Sequence, residues 1–447
     1  MGLKQKLTLT ILFTILAYLW SSVIEYHLLN KTIFKVYIIQ GLLLSYLIIK
    51  NIKIRDFLLP SSIAFFYIQI NLILGGYLAP RGYGFFKEYY YELATIQNYR
   101  LIIFYILCTQ AILASITIYF QYKQFYVKET EDKNLSLKNL MITIFLLIAL
   151  YIIMEVGLII PFQLGFLLPL LFHLKKVKLK LLRFIFYLLI IFLAILFHSF
   201  DKRNIIIFLI GIIFFEMHGS MKQFVFSLKH LLQFSALLIA GLILVLIASI
   251  NRGYGQFESN TPVEYLSNLQ SYITSDIFID GITDNLELNY NYGATNLSME
   301  YVIEEKIQYQ YGKTLIKPLF LWVPRDYFLE KPESFMHLYT RNFDYNEWSQ
   351  GSSLPVIFPI DLFANFSLFG LFALIIFYWI FNKISRWIYC DNGFSIKSFF
   401  GALIVIIHLL FIRGSGLDIL ILYIILACLS FLIYRLFFKI IEEISNG

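Results

Sequence analysis

Runs of about 20 apolar residues constrain this chain more than any other feature, because a helix crossing the ~30 Å hydrocarbon layer of a membrane needs roughly that many. Twelve such runs can be read, at about 7–29, 32–49, 56–78, 99–120, 139–156, 158–173, 181–199, 204–217, 230–250, 353–381, 396–412 and 416–438. Of 447 residues, 59% are hydrophobic and only 15% charged, where a soluble chain carries about a quarter charged. No soluble core could hide so much apolar surface. The expected class is all-α: a polytopic membrane protein with about 12 transmembrane helices. It divides into an N-terminal bundle (1–250), a large polar loop (251–352) and a C-terminal group of spans (353–447).

The net charge of +7, from 36 Lys and Arg against 29 Asp and Glu, is a topology signal here and not a nucleic-acid footprint. Basic loops stay on the cytoplasmic side. The clearest is His173-Leu174-Lys175-Lys176-Val177-Lys178-Leu179-Lys180. Lys50, Lys53 and Arg55, the segment carrying Lys123, Lys128, Lys133 and Lys138, and Lys383, Arg386 and Lys397 fall on the same side when twelve spans are threaded. Both termini are then cytoplasmic and the loop 251–352 faces outward. The apolar run after Lys4 and Lys6 has no small-residue cleavage site, so it reads as an uncleaved first span. Cys108 and Cys428 lie in apolar spans and Cys390 in a short polar loop, with no metal-ligand spacing.

The outer loop carries helix signals. Thr261-Pro262-Val263-Glu264 is a capping box with proline at the first helical position, and Val263, Leu266, Leu269, Ile273 and Ile277 follow at helical spacing. A second amphipathic stretch is expected from about Leu297 to Tyr309, ending near Gly312. Trp322, Phe328 and several tyrosines suit the membrane surface. The loop therefore reads as short helices that cap the outer mouth of the bundle as a lid.

Arginines on the wrong side of the charge pattern mark the candidate site. Arg203 follows Asp201-Lys202 at the head of a span, and Arg252 opens the loop in Asn251-Arg252-Gly253-Tyr254-Gly255. Arg325 sits in Val323-Pro324-Arg325-Asp326, and Arg413 lies between the last two spans in Phe411-Ile412-Arg413-Gly414-Ser415-Gly416. A cation beside an apolar run is directed to a partner or a wet cavity. Arginine grips phosphate oxygens with two parallel hydrogen bonds, so four of them at the outer boundary point to a lipid-linked diphosphate. Snorkelling to outer-leaflet head groups is the plainer alternative.

The acidic candidates are less specific. Asp276, Asp280 and Asp284 recur every four residues and would share one helical face, interrupted by Gly281. Asp326 neighbours Arg325 as an ion-pair partner or a base. Asp361 and Asp418 are notable for their depth in apolar surroundings, and His337 is the only histidine of the large loop. The sequence has no Walker loop, HExxH, nucleophile elbow or DxD pair, so neither metal nor cofactor is expected.

Leu321-Trp322-Val323-Pro324-Arg325-Asp326-Tyr327-Phe328-Leu329-Glu330-Lys331-Pro332 resembles the "(I/V)PR…KP" signature of Wzy-type O-antigen and oligosaccharide repeat-unit polymerases. Gly351-Ser352-Ser353 and then Asp361 through Asn365 and Phe366 to Gly370 resemble that family's later segment. Lys202-Arg203-Asn204 resembles its arginine-headed span, and Arg413-Gly414 with Asp418 its late arginine. The resemblance covers roughly 198–420, and Asp361 stands where the family often has Glu. It implies a GT-C-like helical fold in the bacterial cytoplasmic membrane. It also implies a glycosyltransferase-type polymerase acting on undecaprenyl-diphosphate-linked oligosaccharides as donor and acceptor, with membrane lipids, a chain-length regulator and a repeat-unit flippase as partners. Arg203, Arg252, Arg325, Arg413, Asp326 and His337 are the expected catalytic residues, and Lys202, Tyr254, Lys331, Asp361 and Asp418 the expected substrate-binding ones. An O-antigen ligase using the same donor, and a transporter or flippase of lipid-linked sugars, are the rival readings.

Overall fold

The computed structural model describes residues 2–23, 29–50, 52–81, 92–93, 95–123, 137–157, 159–175, 177, 179–197, 202–217, 268, 270–275, 278, 280, 283, 288–320, 323–324, 327–328, 331–389, 395–414 and 416–446. Among these the chain is helical, without a strand. Six helices are long and apolar enough to cross a membrane by length and composition: Leu3–Val23, Pro60–Arg81, Tyr99–Tyr122, Lys180–Phe197, Phe358–Ile388 and Leu417–Leu436. The chain is a helical membrane protein. Five expected spans coincide with shorter apolar helices, at Phe34–Ile49, Ile142–Glu155, Ile160–Lys175, Ile207–Met217 and Ile396–Ile412. The expected span 230–250 lies outside the described residues.

Contacts divide the chain into two compact units. The first comprises Met1–Lys123, Lys222–Ile380 and Leu410–Leu417. Its described helices begin with α1 (Leu3–Val23), α2 (Leu29–Ile49), α3 (Pro60–Ile70, continuing to Arg81) and α4 (Tyr99–Tyr122). Proline starts α3 at its first turn, where its missing N–H costs nothing. α1 packs on α2 and α4, and α3 packs on α4.

Apolar side chains give little drive between helices in lipid, so uncharged polar pairs supply specificity. Ser61 and Thr117 share a hydrogen bond of 2.8 Å, and the Gln40 amide donates to Thr14 Oγ1 (3.1 Å) and Leu107 O (2.9 Å). The Gln69 side chain occupies the space that a Cβ at Gly41 would fill. Lys6 is fully buried and donates to Leu47 O, with its ammonium 5.5 Å from the Tyr122 ring centroid.

The second unit comprises Gln124–Met221, Phe381–Leu409 and Asp418–Gly447. It holds α5 (Leu137–Glu155), α6 (Ile160–Lys175), α7 (Lys180–Phe197) and α8 (Lys202–Met217). Close approach here depends on small residues: a Cβ at Gly165 would lie 2.2 Å from Ser430 Oγ, whose hydroxyl donates to Phe162 O. Arg183 pairs with Glu216 at 3.0 Å, and Tyr187 donates to the same carboxylate at 2.6 Å.

The polar loop contributes α9 (Leu288–Ile303) and α10 (Phe335–Phe343) to the first unit. The helix expected at 297–309 thus starts earlier, and it is not amphipathic: residues 291–300 are all buried. The reason is that its polar side chains find partners inside. α3 opens into one π-helical turn at Asn71–Gly75, and α9 packs on it. The Asn291 amide donates to Asn71 Oδ1 (3.2 Å) and Tyr67 Oη (3.1 Å). Glu300 accepts from the backbone N–H groups of Gln97 (2.7 Å) and Asn98 (3.2 Å) at the start of α4. The capped helix expected from Thr261 begins outside the described residues, as do Asp276 and Asp284 of the acidic series.

α11 (Phe358–Phe366) and α12 (Gly370–Ser385) follow, joined by a single turn in which Ser367 takes φ +52°. A Cβ on Gly370 would stand 2.6 Å from Leu362 O, so only glycine lets α12 start flush against α11. α13 (Ile396–Ile412) and α14 (Leu417–Asn446) close the chain.

Candidate active site

α11 positions a buried polar cluster in the first unit. Its sequence Phe358-Pro359-Ile360-Asp361-Leu362-Phe363-Ala364-Asn365-Phe366 puts Asp361 and Asn365 four residues apart, on one helical face. Both are buried among aromatic and aliphatic residues. A buried carboxylate is costly unless hydrogen bonds hold it, and here they do. Thr314 Oγ1 donates to Asp361 Oδ1 at 2.7 Å, and the Asn365 amide donates to the same oxygen at 3.0 Å. The Asn365 amide also reaches Thr314 Oγ1 (2.6 Å), while its carbonyl accepts from Gly312 N (2.9 Å). Gln310 N donates to Ala364 O at 2.9 Å. The segment 310–314 is thereby tied to α11, helped by Gly312, whose φ of +87° only glycine adopts without strain.

Asp361 also lines a small cavity of about 10 Å³, room for about one water. Ser334, Phe335 and Met336 at the start of α10, Val356, Phe358, Phe411, Gly414 and Gly416 complete it. Gly414 is the tightest point. At φ +106° its Cβ position would collide with the Val356 carbonyl, so the loop between α13 and α14 can cross the entry to α11 only with glycine there.

Of the expected site residues that the structure describes, Asp361 lines this cavity, while Arg413 and His337, both half-buried, are chain neighbours of the lining residues Gly414 and Met336. His337 lies in the first turn of α10, its backbone N–H capped by Ser334 Oγ. Lys331 donates to Val323 O at 3.0 Å, closing the signature segment on itself, where Phe320 and Phe328 stack at 5.3 Å. Asp418 is buried in the first turn of α14, where a carboxylate complements the positive helix end. Lys202 and Arg203 head α8, with only the backbone described. Arg252, Tyr254, Arg325 and Asp326 lie outside the described residues.

Thr314 and Ser334 were not expected at the site, nor Glu300 as the anchor of α9 on the start of α4. Glu300 could have been noticed as the one charge in the helix Leu288–Ile303. Its carboxyl is pushed above the ordinary glutamate value by burial, a rise the Gln97 and Asn98 N–H groups partly oppose. Nothing in the local sequence marks Thr314, which meets Asp361 across 47 residues. No family model matches the chain, and no curated protein or solved structure matches it either.

Proposed function

We propose that this protein polymerises undecaprenyl-diphosphate-linked oligosaccharide repeat units on the outer face of the bacterial cytoplasmic membrane, with twelve spans, a GT-C-like bundle and both termini inside. One observation carries the reading: the buried Asp361 of α11, fixed by Thr314 and Asn365, lines a cavity that the Arg413–Gly416 loop also borders. The same two elements carry the resemblance to Wzy-type polymerases, together with the Pro324-Arg325 segment that Lys331 closes.

In the proposed reaction a hydroxyl of the incoming unit attacks the anomeric carbon of the growing chain. The new glycosidic bond forms as the bond to the lipid diphosphate breaks. The hydroxyl proton passes to a base, for which Asp361, Asp326 and His337 are the candidates. Arg325, Arg413 and Arg252 would stabilise the charge growing on the departing diphosphate, the task that preorganised cations perform best in a partly dry site. No nucleotide sugar is consumed.

The test is direct. Purified protein incubated with a single defined lipid-linked repeat unit should yield a ladder of longer chains and free undecaprenyl diphosphate. Transfer only to a lipid A core acceptor would favour the ligase. Translocation without bond formation in vesicles would favour the flippase.

A further inference from the structure

The segment that supplies Thr314 has a second face. Its helical turns run from Lys313 to Phe320. Thr314 and Pro318, four residues apart, are buried, whereas Ile316 and Leu319 are 46% and 77% exposed. Large apolar side chains held outward need a cover, and the depth of the segment decides which cover is at hand.

Depth follows from Asp361. The stretch 362–382 carries no charge, roughly the 20 residues that one crossing of the hydrocarbon layer takes, and it lies within the candidate span Phe358–Ile388. Asp361 therefore stands at one boundary of that crossing. Three ties hold the segment at the same level: Gln310 N donates to Ala364 O, Gly312 N to Asn365 Oδ1 and Thr314 Oγ1 to Asp361 Oδ1. Along α12, Phe369, Phe372, Ile376 and Ile380 recur at helical spacing and are all exposed, the pattern of a lipid-facing stripe. Phe366, also exposed, stands 3.8 Å from the Cβ position of Gly312 and joins that stripe to the segment. Ile316 and Leu319 thus lie where the lipid-facing surface meets the boundary.

Charge selects the lipid. Residues 307–324 include Lys313 and Lys317 and no carboxylate. Lysines four residues apart share one side of a helical turn, and cations at a membrane boundary attract anionic head groups. Apolar residues on one face with lysines beside them are what an interfacial anchor requires.

We propose that residues 313–320 form an anchor lying in the membrane interface, with Ile316 and Leu319 among the acyl chains and Lys313 and Lys317 on the phosphates of anionic phospholipids. Thr314 lies next to Lys313 in the chain and donates to Asp361, so lipid charge bears on how firmly the Asp361 cluster is held. The anchor does not depend on which reaction the protein performs.

The experiment uses the full-length protein in nanodiscs of phosphatidylcholine alone or mixed equally with phosphatidylglycerol. Ile316→Cys and Leu319→Cys, each in a chain cleared of its native cysteines and carrying a nitroxide, should collide more with oxygen than with a water-soluble nickel chelate. Nickel exceeding oxygen at either position would place the segment in water and overturn the proposal. Amide exchange then reads the coupling. Phosphatidylglycerol should raise the protection of the peptide holding Gln310 and Gly312, by about fivefold for each lysine brought to an anionic surface. Replacing both lysines, Lys313→Gln with Lys317→Gln, should abolish that increment while leaving protection in phosphatidylcholine unchanged, which shows that the variant is folded. Lys313→Arg with Lys317→Arg should keep it, since a phosphate needs only the charge. Equal protection in the two lipids, an increment that survives the glutamine pair, or one lost in the arginine pair would each overturn the proposal.

Discussion

Asp361 carries a carboxylate where a carboxylate is expensive, and the protein spends Thr314 and Asn365 on holding it. Depth in an apolar run was enough to single out Asp361 from sequence, and the four-residue spacing to Asn365 was readable as one face. Thr314 was not, because its position depends on how a loop folds back over 47 residues. Thr314→Val keeps the shape but leaves Asp361 Oδ1 short of one donor, a change that costs about 1–3 kcal/mol for a buried group. The variant should melt at lower temperature in detergent and lose activity per folded molecule. Unchanged melting would show that the hydroxyl does not restrain the carboxylate. Gly414 was legible only as the neighbour of Arg413; its contact with Val356 explains the requirement. Gly414→Ala should fail to accumulate as folded protein, read by fluorescence-detected size exclusion, and a well-behaved Ala variant would mean the loop does not cross Val356 this closely.

At the level of elements, the apolar runs located eleven helices because length and composition alone define a candidate span. The polar loop was harder. Periodicity predicts an amphipathic helix at 297–309, yet α9 runs from 288 to 303 and is buried throughout residues 291–300. Its Asn and Glu side chains pair with Asn71 and the start of α4 instead of facing water, a tertiary arrangement that no one-dimensional period encodes. α9 is thus packed into the first unit over residues 291–300. This docking has a pH signature through Glu300. Its carboxyl titrates above the ordinary value of 4.5 in the folded state, so the folded state binds the proton more tightly. The stabilising contribution is complete below the ordinary value and is lost as pH rises through the raised one. Hydrogen exchange of α9 amides, corrected for intrinsic rates, should therefore show greater protection on the acid side. Glu300→Gln should flatten that profile, and an unchanged slope in the variant would assign the pH dependence to another group.

On the scale of the whole molecule, membrane character follows from composition, while sidedness rests on the basic loops. Tyr345 is well exposed in the large loop. Tyr345→Cys, in a chain cleared of its native cysteines, should react with an impermeant maleimide in intact spheroplasts. Labelling only after permeabilisation would invert the topology and remove the outer-face substrate with it. The proposed chemistry is tested most directly by Arg413, which precedes the cavity-lining Gly414, and Arg325 of the signature segment. Losing one preorganised donor to a developing charge costs about 10²–10³ in rate, and lysine restores the charge without the planar fork. The decisive measurement is single-turnover transfer from a defined lipid-linked donor, normalised to folded protein, for Arg413→Ala, Arg325→Ala, their lysine counterparts and, as a control, Arg81→Ala at the C-terminal end of α3. The alanine variants should fall by about 10²–10³ with melting temperature unchanged, the lysine variants should recover part of the rate, and Arg81→Ala should stay near wild type. Near-normal transfer by stable Arg413→Ala and Arg325→Ala proteins would contradict a diphosphate held by these arginines.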